Sequence, residues 1–250
     1  MRFVRTLDVV PRLGVCSGAL AALLATAALG CSPRSTTDAD FTRARGEMVQ
    51  TQLASRDIAD RRVLDAFRKV ERHRFVACEL RSQAYMDYPL PIGLGQTISQ
   101  PYIVALMTQL LRLRGTEKVL EVGTGSGYQA AILSLLAKQV FTIELLDSLA
   151  LRAGERLRDL GYSNVTVRCG DGFAGWPEQA PFDAIVVTCA PADITKALLQ
   201  QLAEGGRMVI PVGEGFQDLV LVEKRNGAVA KTTVAPVRFV PMRGPGVEKN

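Results

Sequence analysis

Residues Lys118–Gln129, KVLEVGTGSGYQ, decide the fold. Val119–Val122 is a short apolar run of the kind that forms a buried strand, and it leads into Gly123, Gly125 and Gly127. A helix is predicted from about Tyr128 to Lys138. Glycine accepts positive φ and carries no side chain, so backbone in such a turn can approach a ligand closely. The N–H groups that open the next helix have no intrahelical partner and face the same space. The stretch therefore reads as a cofactor cradle. The alternative is a strand-to-helix turn with a structural role only.

The dinucleotide fingerprint G-x-G-x-x-G carries a third glycine for helix–strand packing. Here the spacing is G-x-G-x-G, and Tyr128 falls where that third glycine would stand. Glu121 closes the strand with an acid that suits a cationic ligand and opposes a pyrophosphate. The next strand, Gln139–Glu144, ends in Glu144, placed to accept both hydroxyls of a ribose. An adenosine that carries a sulfonium and an amino acid tail satisfies both acids. S-adenosylmethionine thus fits better than NAD, which stays open as a rival.

The chain has 250 residues, enough for one substantial α/β domain. With 48% apolar and 22% charged residues it has a globular balance rather than a disordered one. The net charge of +5 is mild, and no basic run or aromatic-interleaved patch points to nucleic acid. Cys16, Cys31, Cys78, Cys169 and Cys189 show no C-x-x-C spacing and have no companion histidines, so no metal site and no disulfide framework is expected. Cys169 and Cys189 are expected as small buried residues at strand ends.

The first 31 residues stand apart. Arg2, Arg5 and Arg12 precede an uncharged, Ala- and Leu-rich stretch, Leu13–Cys31, with Ala25-Thr26-Ala27 as a cleavage-like site. Leu29-Gly30-Cys31 hints at a lipoprotein signal, although Ala28 and Leu29 are in the wrong order for one. The stretch is marginal as a membrane span. Residues 32–41 read as a polar linker, 42–244 as the catalytic domain and 245–250 as a loose tail. S-adenosylmethionine is made in the cytoplasm, which favours that compartment and a start nearer Met48. Export to the periplasm or envelope through residues 1–31 is the alternative, and contact with a membrane is expected only if that segment is retained or lipidated.

Along the rest of the chain, helices are predicted from Phe41 to Asp57 and from Arg61 to Val70, the second capped by Asp60. His73 is the lone histidine. A Ser/His/Asp triad could be built only around it, but it reads more simply as a surface or hinge residue that fixes this turn. Tyr85–Gln100, YMDYPLPIGLGQTISQ, reads as a long irregular loop, the kind that is usually functional. Ser99 or Gln100 then caps a helix over Tyr102–Leu113, with Pro101 in its first turn. Ser99 is either that cap or a functional group at an anion-favouring helix mouth. Further on come a helix over Leu146–Leu160, a strand Val165–Cys169 and Gly170-Asp171-Gly172, where Asp171 could accept from an adenine amino group or merely form a turn. Strand Phe182–Thr188, helix Ile194–Leu202, a Gly205-Gly206 turn and strand Arg207–Pro211 follow. Asn226-Gly227 joins Gln217–Lys224 to Val229–Phe239 as a hairpin. This order describes an open, mostly parallel α/β sheet with helices on both faces.

From Met48 to Gly244 the chain closely resembles the protein-L-isoaspartate O-methyltransferase family. The resemblance rests on Arg61-Arg62-Val63-Leu64, His73-Arg74-Phe75-Val76, Gly95-Gln96-Thr97-Ile98-Ser99-Gln100-Pro101, Val119–Tyr128, Gly170-Asp171-Gly172, Gly175-Trp176-Pro177, Ala180-Pro181-Phe182-Asp183, Gly205-Gly206-Arg207 and Val237–Met242. The Gln-Thr-Ile-Ser-Gln-Pro stretch is specific to that family, whereas the glycine loop is shared by many methyltransferases. The resemblance implies a Rossmann-like S-adenosylmethionine-dependent methyltransferase fold with a modified order of C-terminal strands. It implies a catalytic serine at Ser99 and cofactor contacts at Gln96, Thr97, Ile98, Glu121, Gly123, Gly125, Gly127, Glu144, Leu145, Asp171 and Gly172. The implied reaction methylates the α-carboxylate of an isoaspartyl residue in a protein or peptide. The ester then closes to a succinimide, whose hydrolysis returns some normal aspartate. Three features depart from the family: Leu145-Leu146 after Glu144, Cys189 in place of an alanine, and the N-terminal extension. Rival readings keep the fold with RNA or a small molecule as substrate, or keep cofactor binding without catalysis in an envelope protein.

Overall fold

The computed structural model describes residues 37–245. The signal-like segment, the cleavage-like site and the first half of the predicted linker, residues 32–36, lie outside these residues, as does all but the first residue of the predicted tail. Thr37 opens helix α1 (Asp38–Met48) with a capping box: its hydroxyl accepts from the Asp40 N–H, and the Asp40 carboxylate accepts from the Thr37 N–H. The last four residues of the expected linker are therefore helical. A π-helical turn, Val49–Ala54, continues α1. Asp60 caps α2 (Arg61–Lys69) as expected, accepting from the N–H groups of Arg62 and Val63.

Tyr85–Gln100 is more regular than its prolines and glycines suggest. Strands β1 (Leu90–Gly93) and β2 (Gln96–Ile98) form an antiparallel hairpin with Leu90 opposite Ile98. A two-stranded ribbon leaves edges where Pro91 costs no ladder bond. Helix α3 (Pro101–Leu111) follows and ends at Arg112, earlier than predicted, in left-handed conformation.

The main sheet is built from β3 (Lys118–Val122), β4 (Gln139–Glu144), β5 (Val165–Cys169), β6 (Phe182–Val187), β7 (Leu202–Val212), β8 (Gln217–Arg225) and β9 (Ala228–Val237). Helices α4 (Tyr128–Ser134), α5 (Asp147–Asp159) and α6 (Lys196–Gln201) connect the parallel strands. Helix α4 is shorter than predicted because the chain turns early toward β4, and the Asn164 side chain donates to the freed carbonyls of Ser134 and Ala137. Strand β7 starts before the predicted Gly205-Gly206 turn. These glycines lie inside the strand, beside a register shift against β6. A side chain on Gly206 would meet the Ala203 and Asp183 carbonyls at 2.8 and 3.0 Å.

The strand order is β5-β4-β3-β6-β7-β8-β9, with β3 to β7 parallel and β8 and β9 added antiparallel in chain order. From β3 the chain winds outward through β4 to β5 and then returns to β6 on the other side of β3. The order thus reverses at β3, and in open α/β sheets ligands bind at the carboxyl ends of the strands at such a point. Alternation along β3 sends Val119 into the core with α1 to α4, and Leu120 and Val122 into the core with α6. Glu121 shares Val119's face. Cys169, expected to be buried, is exposed because β5 is the sheet edge. Among the described residues no helix is long and apolar enough to cross a membrane, and no His/Cys/Asp/Glu cluster could hold a metal.

Candidate active site

The glycine turn sits at the carboxyl end of β3, with Gly123, Gly125 and Gly127 at φ of 98°, 53° and 87°. L side chains rarely adopt these values, so the turn needs glycine there. The Ile143 carbonyl accepts from the N–H groups of Gly123 (2.8 Å) and Thr124 (3.2 Å), which pins the turn to β4. A Cβ on Gly123 would strike the Thr188 hydroxyl. Gly127 serves differently. It caps α4, and a Cβ there would lie 3.2 Å from Leu157 of α5. It holds helix to helix rather than lining the cavity.

Glu144 is nearly buried, and both its oxygens already hold backbone. Oε2 accepts from the Gly125 N–H at 2.8 Å and Oε1 from the Leu146 N–H at 3.1 Å. The acid thus ties the turn to the end of β4, and each oxygen keeps a lone pair for a ligand. Asp171 Oδ1 accepts from the Phe173 N–H at 3.0 Å, while Gly172 reaches the cavity wall. A Cβ on Gly172 would come within 2.5 Å of Val122 and 3.0 Å of Met242.

Three adjoining hollows meet here. The first, about 140 Å³, is lined by Gln96, Thr97, Gly123, Gly125, Glu144, Leu145 and Gly172 of the expected cofactor residues. The second, about 40 Å³, brings Ser99 and Glu121 to one chamber together with Thr97, Ile98 and Gln129. The third is an open cleft of about 760 Å³ between the start of α3 and the end of β9, with Ser99, Ile103, Arg238 and Phe239 on its walls. Thr97 and Thr188 line all three, and Ser99 lines the chamber and the cleft.

Glu121 is fully buried, and neither carboxylate oxygen has a hydrogen-bond partner. Burial pushes its pKa up to about 8. The neighbouring Thr142 hydroxyl, which also shares a 2.6 Å hydrogen bond with the Thr124 hydroxyl, opposes the shift, and the Glu144 charge adds to it.

Ser99 is not the cap of α3. Gln100 holds the cap position without a side-chain bond, and Asp87 accepts from the Tyr102 N–H instead, at 3.3 Å. Asp87 also pairs with Arg56 at 3.2 Å, Arg56 lies over the Tyr102 ring, and the Tyr102 hydroxyl donates to Asp57. This network holds the mouth of α3 without the serine. His73 is buried rather than superficial. It stacks on Phe41 at 4.0 Å, with Nδ1 2.8 Å from the Tyr85 hydroxyl, and burial lowers its pKa. It lines none of the three hollows, so a triad with Ser99 is not assembled.

Two parts of the site were not read from the sequence. One is Thr188, a single residue beyond β6 at the switch point. The other is the strap Val240–Arg243, which the sequence placed inside the domain, with Val240–Met242 in a family-like stretch, but without a role at the site. It walls the first hollow, with the Ala190 N–H donating to the Val240 carbonyl at 2.9 Å and the Met242 N–H to the Ala190 carbonyl at 2.7 Å. Met242 is buried.

The family model described as protein-L-isoaspartate(D-aspartate) O-methyltransferase matches residues 43–245. A protein-L-isoaspartate O-methyltransferase of Syntrophobacter fumaroxidans is 58% identical over 206 residues, covering 82% of this chain and 96% of its own. One from Anaeromyxobacter sp. is 55% identical over 235 residues, covering 91% of this chain and 97% of its own. A solved protein-L-isoaspartate O-methyltransferase superposes with a TM-score of 0.75 at 29% identity, over 80% of this chain and 66% of that one. A Plasmodium falciparum chain described as a beta-aspartate methyltransferase, in complex with S-adenosyl-L-homocysteine, shares the fold with a TM-score of 0.70 at 24% identity, over 80% of this chain and 98% of its own. The glycine turn between two acids, the serine released from capping and the match over residues 43–245 lead to one conclusion: this chain belongs to the protein-L-isoaspartate(D-aspartate) O-methyltransferase family.

Proposed function

We infer that this chain transfers a methyl group from S-adenosylmethionine to the free α-carboxylate of L-isoaspartyl residues in damaged proteins and peptides, which starts their repair. The observation that carries the reading is Glu121: a buried acid with two unpartnered oxygens, in a chamber it shares with Ser99. A buried charge without a partner is costly, and a cationic ligand relieves that cost. The rest of the site fits such a donor. Gly123 and Gly172 leave no room for side chains, and Glu144 keeps acceptor capacity at the cavity wall.

When bound, S-adenosylmethionine supplies a sulfonium methyl that a carboxylate oxygen can accept. Gln96, Thr97 and Leu145 would wall the donor, with Ile98 in the adjoining chamber. Gly123 and Gly125 would let backbone approach it, Glu144 would take its ribose, and Asp171 and Gly172 would stand on the adenine side. The isoaspartyl carboxylate has a pKa near 4 and is already ionised at neutral pH. No general base is needed, in keeping with His73 packed elsewhere. Ser99 donates a hydrogen bond to that carboxylate and holds one oxygen toward the donor side. Alignment of this kind lowers a two-reactant barrier by several kcal/mol. The methyl ester then closes to a succinimide without further help, and hydrolysis restores part of the normal aspartate.

A labelled methyl-transfer assay tests the reading with three acceptors: an isoaspartyl peptide, the same peptide with ordinary aspartate, and RNA. Label is expected on the isoaspartyl peptide alone. Label on RNA, or S-adenosylhomocysteine binding without turnover, replaces the reading with one of its rivals. We take residues 42–244 as the methyltransferase domain. For the compartment our reading is the cytoplasm, where the donor is made. Recovery of the native protein in an envelope fraction, with its intact mass showing cleavage or lipidation, would establish export instead.

A further inference from the structure

Thr188 stands where the cofactor hollow, the Ser99–Glu121 chamber and the open cleft share a wall. Its backbone extends the β3–β6 ladder by one step, with the Thr188 N–H donating to the Val122 carbonyl at 2.9 Å. Its hydroxyl then donates to the Gly123 carbonyl at 2.6 Å and lies 3.1 Å from the Val122 carbonyl. One proton serves two acceptors, with the shorter contact to Gly123. The Gly123 Cα is in turn so close to this hydroxyl that any Cβ would collide with it. Threonine and glycine are thus a matched pair: the hydroxyl occupies the space that a side chain on the turn would need. The other anchors of Gly123 and Thr124 to neighbouring strands come from β4 alone, the Ile143 carbonyl and the Thr142 hydroxyl. Thr188 is the clasp from the other side, across the switch point.

We propose that Thr188 is a positioning residue for methyl transfer, its hydroxyl holding the first residue of the glycine turn in place on the wall that the methyl group must pass. It acts through Gly123, and the proposal rests on the methyl-transfer reading above. Loss of the hydroxyl leaves the Gly123 carbonyl short of its donor and frees the turn on the β6 side. Donor binding and turnover should both suffer, while acceptor binding in the cleft should not.

The test compares the whole chain with Thr188→Val, which keeps the shape and removes the donor, and with Thr188→Ser, which restores the donor. The readouts are kcat, KM for S-adenosylmethionine, KM for an isoaspartyl peptide, and calorimetric binding of S-adenosylhomocysteine. Thr188→Val is expected to raise KM for the donor and the dissociation constant for S-adenosylhomocysteine roughly tenfold, with kcat lowered and peptide KM within twofold. Thr188→Ser is expected to stay within about threefold of the parent. A purely structural lesion would reduce the active fraction and leave both KM values alone. If Thr188→Val does not fold, Thr188→Ala is measured against Thr188→Ser in its place. Unchanged parameters in the valine or alanine variant overturn the proposal, and so does a serine variant as impaired as the valine one. An inactive parent protein would count against methyl transfer itself, and the S-adenosylhomocysteine titration would still compare the variants.

Discussion

The end of β3 with its glycine turn, and the mouth of α3, each present a group to the same chamber, Glu121 from the strand and Ser99 from the helix mouth, yet they are built in opposite ways. The turn is shaped locally. Three glycines with positive φ impose its path, and neighbouring strands then pin it. The mouth of α3 is shaped from a distance. Its serine stands clear because Asp87, Arg56 and Asp57 satisfy and brace the helix start from elsewhere in the chain. A functional residue at a helix N-terminus is available for chemistry only when something else does the capping.

The contrast is broken most sharply at Ser99. Ser99→Ala should lower kcat/KM for an isoaspartyl peptide by roughly 100-fold or more, the usual effect of removing a preorganised donor, while S-adenosylhomocysteine binds as before. Since Ser99 caps nothing, thermal stability should hold, and full activity in this variant would take the serine out of the mechanism.

At Glu121 the expected effect is smaller and depends on pH. The acid ionises near 4.5 in an unfolded chain and near 8 in the folded one. Between these values only the unfolded chain has lost its proton, so stability from this group is present in full below pH 4.5 and falls as pH rises toward 8. Glu121→Gln should remove that slope from ligand-free denaturation curves. The same acid must ionise to meet a cationic ligand. Near pH 7 the parent should therefore release close to one proton on binding S-adenosylmethionine, whose sulfonium carries the charge, seen as a buffer-dependent calorimetric heat. Glu121→Gln should release none and bind about tenfold more weakly. Equal proton release in the two proteins would show that the carboxylate does not face the ligand.

The smallest effect belongs to Asp87. Asp87→Ala removes the remote cap and should cost about 0.5–2 kcal/mol by chemical denaturation. Turnover should fall by no more than about tenfold, with cofactor affinity unchanged. A loss of cofactor binding here would mean that turn and helix mouth are coupled rather than built independently.

Much of this was legible from residues in order. The strands Gln139–Glu144 and Val165–Cys169 lie where their apolar runs place them, and Asp60 caps the helix it precedes. The hairpin Leu90–Ile98 was hidden because Pro91, Gly93 and Gly95 look like loop residues, while pairing across the turn is a contact between separated positions. Gly205-Gly206 reads as a turn by composition but is held in β7 by its neighbour β6. Cys169 looked buried because an apolar run does not reveal which strand will be the edge.

By itself, then, the amino-acid order determined the alternation of strands and helices, the glycine turn and the two acids that flank it. These follow from backbone preferences and periodicities expressed over a few residues. Only the tertiary structure decided that Ser99 is released from capping, that Gly127 serves packing, that Thr188 faces Gly123 and that the strap at Val240–Arg243 closes the cavity. Each of these depends on which distant groups arrive at the same place, and that is settled by packing and hydrogen-bond satisfaction across the whole sheet, beyond what local preference encodes.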